Sequence, residues 1–186
     1  MFRLTSAYAA KICHGLRVCI AGVLCFSALA ACAQPLLADA DFEESDAAKT
    51  PWRPFQHVGV KAYDFVRDTE IKFQGAQSLR ITQRVPQEFG AVEQVLNRPS
   101  AGDYKASAML RSRGTDRGGW GLKIMVVKSD GSEVVYDTPS LIGDVSWVAR
   151  TVRFNVPIGA RALHVIATLN GDGSGWIDKL ELAAVE

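Results

Sequence analysis

The sequence predicts an all-β domain, an antiparallel sandwich of two sheets, preceded by a short export segment. Three observations predict it. Past Pro35 no stretch carries a sustained 3.6-residue apolar period. Apolar residues recur instead at every second position. The alternating runs are separated by Gly, Pro, Asp, Asn and Ser at turn-like intervals. A half-buried strand needs that alternation because its successive side chains point to opposite faces.

The runs follow in order. Strand-like sequence opens at Leu36. A Pro-bounded irregular segment over 51–65 (PWRPFQHVGVKAYDF) forms a long loop before the second strand. Ser78 to Gln83 alternates Leu79 and Ile81 against Arg80 and Thr82. Tyr104 to Arg111 sets Tyr104, Ala106, Ala108 and Leu110 on one face. Leu122 to Val127 begins by alternating and ends apolar on both sides. Trp147 to Val156 places Val148, Val152, Phe154 and Val156 opposite Ala149, Thr151, Arg153 and Asn155. Leu163 to Leu169 and Trp176 to Leu182 complete a set of about eight to ten strands.

The connectors carry turn chemistry. Asp130-Gly131 between two strand-like runs reads as a tight hairpin, and 99–103 (PSAGD), 157–160 (PIGA) and 170–175 (NGDGSG) read as turns. The stretch 111–119 (RSRGTDRGG) reads as a charged, Gly-rich loop. With no linker and no internal repeat, 36–186 forms one domain.

The first 33 residues read as an address. Arg3, Lys11, His14 and Arg17 make a basic start, and 18–31 (VCIAGVLCFSALAA) is apolar and uncharged. That run is too short to cross a hydrocarbon core of about 30 Å but suits a signal-peptide core. Ala31-Cys32-Ala33 forms an A-x-A cleavage site, giving a signal of 1–33. Leu29 to Cys32 also resembles a lipobox, which would end the signal at 31 and make Cys32 a lipidated first residue. Both readings place the domain outside the cytoplasm, in the periplasm, on the outer membrane or outside the cell.

Composition excludes other classes. The chain has 21 Lys and Arg against 20 Asp and Glu. Arg3, Lys11 and Arg17 lie in the signal, so the remainder holds 18 against 20, a formal charge of −2. So nearly neutral a domain has no field to draw nucleic acid. All 4 cysteines fall in the first 32 residues, so the domain has no intrachain disulfide and no thiolate metal site. Of 3 histidines only His57 and His164 follow the signal. His164 lies on the opposite face to Leu163 and Val165, as a solvated strand-face residue. No G-x-S-x-G or P-loop is present, and Glu43-Glu44 alone do not make a glycosidase. The domain is read as a binding module rather than an enzyme.

Asp41-Phe42-Glu43-Glu44, the run Gly75 to Ile81, Val92-Glu93-Gln94-Val95, Gly102-Asp103-Tyr104, Trp147 and Trp176 to Leu180 stand in an order that resembles a known domain. It is the galactose-binding-like jelly roll of carbohydrate-binding modules attached to bacterial cellulases and xylanases. The resemblance implies a jelly-roll sandwich that binds a glycan through aromatic and polar side chains, sugar rings stacking on aromatics and hydroxyls pairing with amides and guanidinium groups. Candidate ligand residues are Trp52, Tyr63, Gln94, Arg111, Trp120 and Tyr136, with Phe55 and Phe65 in the same long loop. Trp147 and Trp176 are expected in core or inter-sheet packing. Trp52 and Tyr63 have a second reading, closing the end of the sandwich, and Gln94 another, as a buried, satisfied amide. The resemblance also implies a structural calcium held by Glu43, the backbone around Gly75, and Asp178, a hard-cation set of carboxylate and carbonyl oxygen. Two other readings stand beside glycan binding. One is a cell-envelope domain that uses the same sandwich to contact a protein partner; the other is an uncharacterised hydrolase. Membrane contact is expected only through a lipid on Cys32.

Overall fold

The alternation resolves into nine antiparallel strands in a computed structural model, which describes residues 35–46 and 48–185. They are β1 (Arg53–Gln56), β2 (Tyr63–Asp68), β3 (Ser78–Gln83), β4 (Phe89–Asn97), β5 (Gly102–Val127), β6 (Glu133–Asp137), β7 (Leu141–Val156), β8 (Ala162–Asn170) and β9 (Ser174–Ala184). The signal segment and Cys32 lie outside the described residues. None of the described residues forms a helix long and apolar enough to cross a membrane.

The ladder runs β1-β4-β8-β5-β9-β3-β2, with β6 and β7 also on β5. The 26-residue β5 serves two layers. Its first half pairs with β7 and β9, and its second, from Trp120 to Val127, pairs with β8, while Lys123 to Val127 pair with β6. One layer is therefore β1-β4-β8-β5-β6 and the other β2-β3-β9-β5-β7. Their facing side chains form one core: Val92, Leu122, Ile124, Leu163 and Val165 from the first, Leu79, Ile81, Ala106, Leu110 and Ile177 from the second. Burying these apolar faces is what holds a domain without disulfides.

Several expectations need correcting. The stretch 111–119 is not a loop: it continues β5, with register shifts against β7 between Leu110 and Trp120. Gly114 and Gly119 adopt positive φ, 60° and 71°, and supply the irregularities that carry the strand from one layer to the other. The segment 51–65 holds β1 and the start of β2. The stretch 36–46 is irregular rather than a strand, although Leu37 and Phe42 are core residues. Trp147 is half-buried on the outer face, edge-on to Phe73 with ring centroids 6.0 Å apart, not in the core. Trp176 is buried, but it sits on the outward phase of β9, opposite Arg80 and Arg111. The Asp130-Gly131 hairpin is present. Gly131 has φ 87°, and the Lys128 N–H donates to the Ser132 carbonyl across the turn at 2.8 Å.

Candidate functional site

Leu163, Val165, Ala167 and Leu169 of β8 point into the core, so His164, Ile166, Thr168 and Asn170 project from the opposite face. Register extends that face across the layer. One row is Arg53, Glu93, Ile166, Lys123, Asp137; the next is Phe55, Ala91, Thr168, Gly121; a third pairs Phe89 with Asn170. The middle row is small, so it forms a floor. The flanking rows rise beside it, and Phe55 closes one end. The result is a depression of about 320 Å³ lined by residues of β1, β4, β8 and β5.

Aromatic surface gathers at the β1 end. Phe55 and Phe89 meet edge to face at 5.9 Å, and His57 meets Phe89 at the same distance. Phe55 keeps 37% of its surface exposed. Polar groups are spread along the rest. Glu93 accepts from or pairs with His164 Nδ1 at 2.9 Å, and Lys123 stands 3.8 Å from Asp137. Thr168 and Asn170 are engaged only at 3.4 Å, which leaves a hydroxyl and an amide able to turn to a ligand. The two carboxylates of the first row, Glu93 and Asp137, belong to strands three ladder steps apart. At about 4.8 Å per step their backbones are about 14 Å apart, wider than the paired carboxylates of a glycosidase. The face can stack, accept and donate.

None of the six predicted ligand residues lies on it. Trp52 is buried, with its indole N–H donating to the Asp39 carbonyl at 2.8 Å and its ring 5.1 Å from Phe42. Tyr63 is fully buried; its hydroxyl donates to the Gln87 carbonyl and accepts from Gln83. Burial pushes the Tyr63 phenol up, with the Gln83 and Gly171 hydrogen bonds working against it. Trp120 is also fully buried, against Gly175. Tyr136 packs inward on Phe154 at 5.8 Å. Gln94 is the satisfied amide: its Oε1 accepts from Ala38 N–H at 2.9 Å and its Nε2 donates to the Ala38 carbonyl at 2.8 Å. That amide does for 38 what a neighbouring strand would do, which explains why no strand forms there. Arg111 lies on the outer face of the other layer. Large aromatics bury more apolar area than any other side chain, so an isolated sandwich draws them inward.

Phe55, named among the loop aromatics, does lie on this face, and His164 stands on it as expected, though its Nδ1 is within hydrogen-bond distance of Glu93. Phe89, Glu93, Lys123, Met125, Ile166, Thr168 and Asn170 were missed. One signal was available: Ile166 is an apolar residue on the outward phase of β8, where a solvated face would carry a polar one.

A second depression, of about 300 Å³, lies where the layers part between β1 and β2, lined by Trp52, Phe65, Arg67 and Leu79 among others. Arg67 Nη2 is held there by Asp39 and Thr50, while its Nη1 is buried without a partner. Burial lowers the Arg67 guanidinium, opposed by the Asp39 carboxylate.

The expected cation residues do converge. Glu43 accepts from the Ala76 N–H at 2.9 Å, Asp178 accepts from Phe73 and Gln74 at 2.8 and 3.0 Å, and Gly75 (φ 66°) lies so close to the Glu43 carboxylate that a side chain there would collide with it. Burial pushes Asp178 above the usual carboxylate range; hydrogen bonds from Gln74, Phe73 and Lys179 oppose this, and the nearby Glu43 charge adds to it. Carboxylate oxygens are the donor type a hard cation takes, and all four here already accept main-chain N–H groups, from Ala76 and Gln77 at Glu43 and from Phe73, Gln74 and Lys179 at Asp178. Among the described residues no three His, Cys, Asp or Glu side chains gather to share a metal, so main-chain oxygens would have to complete the shell.

Compared by sequence, the chain matches no family profile and no curated protein. Compared by structure, it matches many solved chains. A family 61 carbohydrate-binding module in complex with β-1,4-galactotriose aligns with a TM-score of 0.57 at 19% identity, over 81% of this chain and 99% of that one. A family 16 module aligns at 0.60 and 12% identity, over 80% and 99%. A family 22 and catalytic module pair of a Clostridium thermocellum xylanase, complexed with xylohexaose, aligns at 0.56 and 14% identity, over 73% of this chain and 26% of that one. The enzymatically active domain of a bacteriophage tailspike also aligns, at 0.60 and 13% identity, over 81% of this chain and 21% of that one. The described chain has the antiparallel jelly-roll sandwich of carbohydrate-binding modules.

Proposed function

We propose that this protein is a non-catalytic glycan-binding module whose ligand lies across the outer face of the β1-β4-β8-β5-β6 layer. The observation that carries the reading is the floor of Ala91 and Thr168 beside aromatic surface at Phe55 and Phe89 and the polar groups Glu93, Lys123, His164 and Asn170. An extended saccharide needs that combination: a channel free of bulky side chains, an aromatic ring for its C–H face, and mixed donors and acceptors for its hydroxyls. Modules of the same fold that bind galactotriose and xylo-oligosaccharides support neutral β-linked glycans as the first ligands to try. The wide spacing of the carboxylates on this face favours binding over hydrolysis.

Isothermal titration of the folded protein against galacto-, xylo- and gluco-oligosaccharides tests the reading. Binding to at least one, weakened about ten-fold or more by Phe55→Ala with Phe89→Ala, is the expected result. No heat from any neutral glycan, by protein that melts cooperatively, would refute it. The export reading of 1–33 is part of the same proposal, and the intact mass of the processed protein separates cleavage after Ala33 from lipidation at Cys32. A structural calcium at Glu43 and Asp178 accompanies it.

A further inference from the structure

Trp176 occupies the outward phase of β9 yet is only 2% exposed. Two guanidinium groups roof it: Arg111 Cζ stands 5.9 Å from the ring centroid and Arg113 Cζ 5.8 Å. They come from alternate positions of β5, so their backbones are roughly 7 Å apart on one face. The indole N–H donates to Asp68 Oδ2 at 2.8 Å, and the same oxygen takes Arg80 at 3.0 Å. Burial alone would raise the Asp68 carboxyl. The Trp176 indole, the N–H groups of Ile71 and Glu70 and the Arg80 charge outweigh it and hold the group below the usual range.

Two acids beside the pair are engaged by other groups, and a third, Asp144 of β7, faces the same stretch with its Oδ1 accepting from the Gly114 N–H at 2.6 Å. Asp68 is held by Trp176 and Arg80, and Asp64, in the next row, pairs with Arg84 at 2.6 Å. Among the described residues neither Arg111 nor Arg113 has a carboxylate within ion-pair distance. Arg111 Nε is buried with no acceptor, and a buried N–H without a partner costs free energy until one arrives. A guanidinium presents its donors in a planar fork that matches a carboxylate or sulfate. Beside the pair, Thr82 and Ser174 share a hydroxyl contact at 2.8 Å, in the row that continues to Arg113.

We propose that the outer face of the β2-β3-β9-β5-β7 layer carries a second binding site, built from Arg111 and Arg113 on the indole of Trp176, for the oxyanion of an acidic glycan. The guanidinium pair selects the carboxylate of a uronic acid or a sulfate ester; the flanking hydroxyls meet the sugar. The word glycan rests on the function proposed above, whereas the oxyanion rests on this face alone. The two sites lie on opposite outer faces, so one can fail while the other stands.

The test is titration of the protein with three probes: a neutral oligogalactoside, the corresponding oligogalacturonide, and a sulfated oligosaccharide, each with and without Phe55→Ala and Arg111→Gln/Arg113→Gln. At least one acidic probe should bind, lose about ten-fold in affinity in the arginine double variant, weaken at high salt, and be indifferent to Phe55→Ala. Trp176 emission should change with the acidic probe only. Which acidic probe binds identifies the oxyanion. Acidic probes that bind the double variant as well as the wild type overturn the site, as does folded wild type that binds neither. If the double variant does not fold, Arg113→Gln alone carries the test, because Arg113 is exposed. A guanidinium pair that merely shields Trp176 would lower Tm in these variants and leave acidic affinity where it was.

Discussion

Trp120 donates its indole N–H to the backbone carbonyl of Trp176 at 3.0 Å, tying a fully buried ring inside the sandwich to the strand that carries a second indole outside it. The bond joins β5 to β9 where the layers meet. Trp120 also lies flat against Gly175, where an added Cβ would come within 2.2 Å of the indole. Gly175→Ala should therefore destabilise the protein by about 1–3 kcal/mol through overpacking, and Trp120→Ala by about 3–5 kcal/mol through the cavity it leaves. Denaturant unfolding reads both. A Trp120→Ala protein of normal stability that had lost its glycan would return Trp120 to the ligand site.

Gln94 supports the chain at 38 by a reciprocal pair of hydrogen bonds. Gln94→Ala removes both hydrogen bonds to the exposed Ala38 backbone, whose groups can turn to water, and should cost about 1 kcal/mol. Proteolysis near 36–46 should accelerate, while glycan affinity per folded molecule stays unchanged.

Stability should respond to pH through Asp68. Its folded carboxyl is held below the unfolded value of about 3.9, so the stability it adds is present above that value. It is lost as pH falls through the folded pKa. Asp178 acts with the opposite sign: its raised pKa stabilises below the unfolded value and loses that contribution as pH rises through the folded one. Thermal melts from acid to neutral pH should show Asp68→Asn less stable near neutrality and less acid-sensitive than the wild type. An unchanged acid slope in Asp68→Asn would contradict this.

Calcium should stabilise the loop between β2 and β3. An ion bound only by the folded state adds about 2.7 kcal/mol at a hundred times its Kd. Tm should rise with added Ca²⁺, fall with chelator, and lose this response in Glu43→Gln. A Tm indifferent to both additions would leave the N–H groups of Phe73, Gln74, Ala76 and Gln77 as the partners of Glu43 and Asp178 in that loop.

Strand positions were legible where one face alternates cleanly: Ser78–Gln83 is β3 to the residue, and the buried phase of β8 follows from Leu163, Val165, Ala167 and Leu169. The long β5 was not, because Gly114, Gly118 and Gly119 are turn residues by composition, and only the pairing on either side of them with strands far along the chain carries β5 through the irregularity. The proposed binding face was not legible for a different reason. Aromatic rings serve a core and a sugar equally well, and composition does not say which way a ring points. Trp52, Tyr63 and Trp120 went inward, leaving Phe55 and Phe89 on the outside. Trp176 shows the converse, a ring on the outer phase buried by arginines rather than by the core.

The most direct measurement is amide chemical-shift mapping of the folded protein titrated with the best-binding neutral oligosaccharide. Shifts should concentrate on 89–93, 121–125 and 164–170 and leave the β2-β3-β9 face silent. Shifts confined to 38–52 and the ends of the sandwich, with 164–170 unmoved, would contradict a ligand lying across the β4-β8-β5 face.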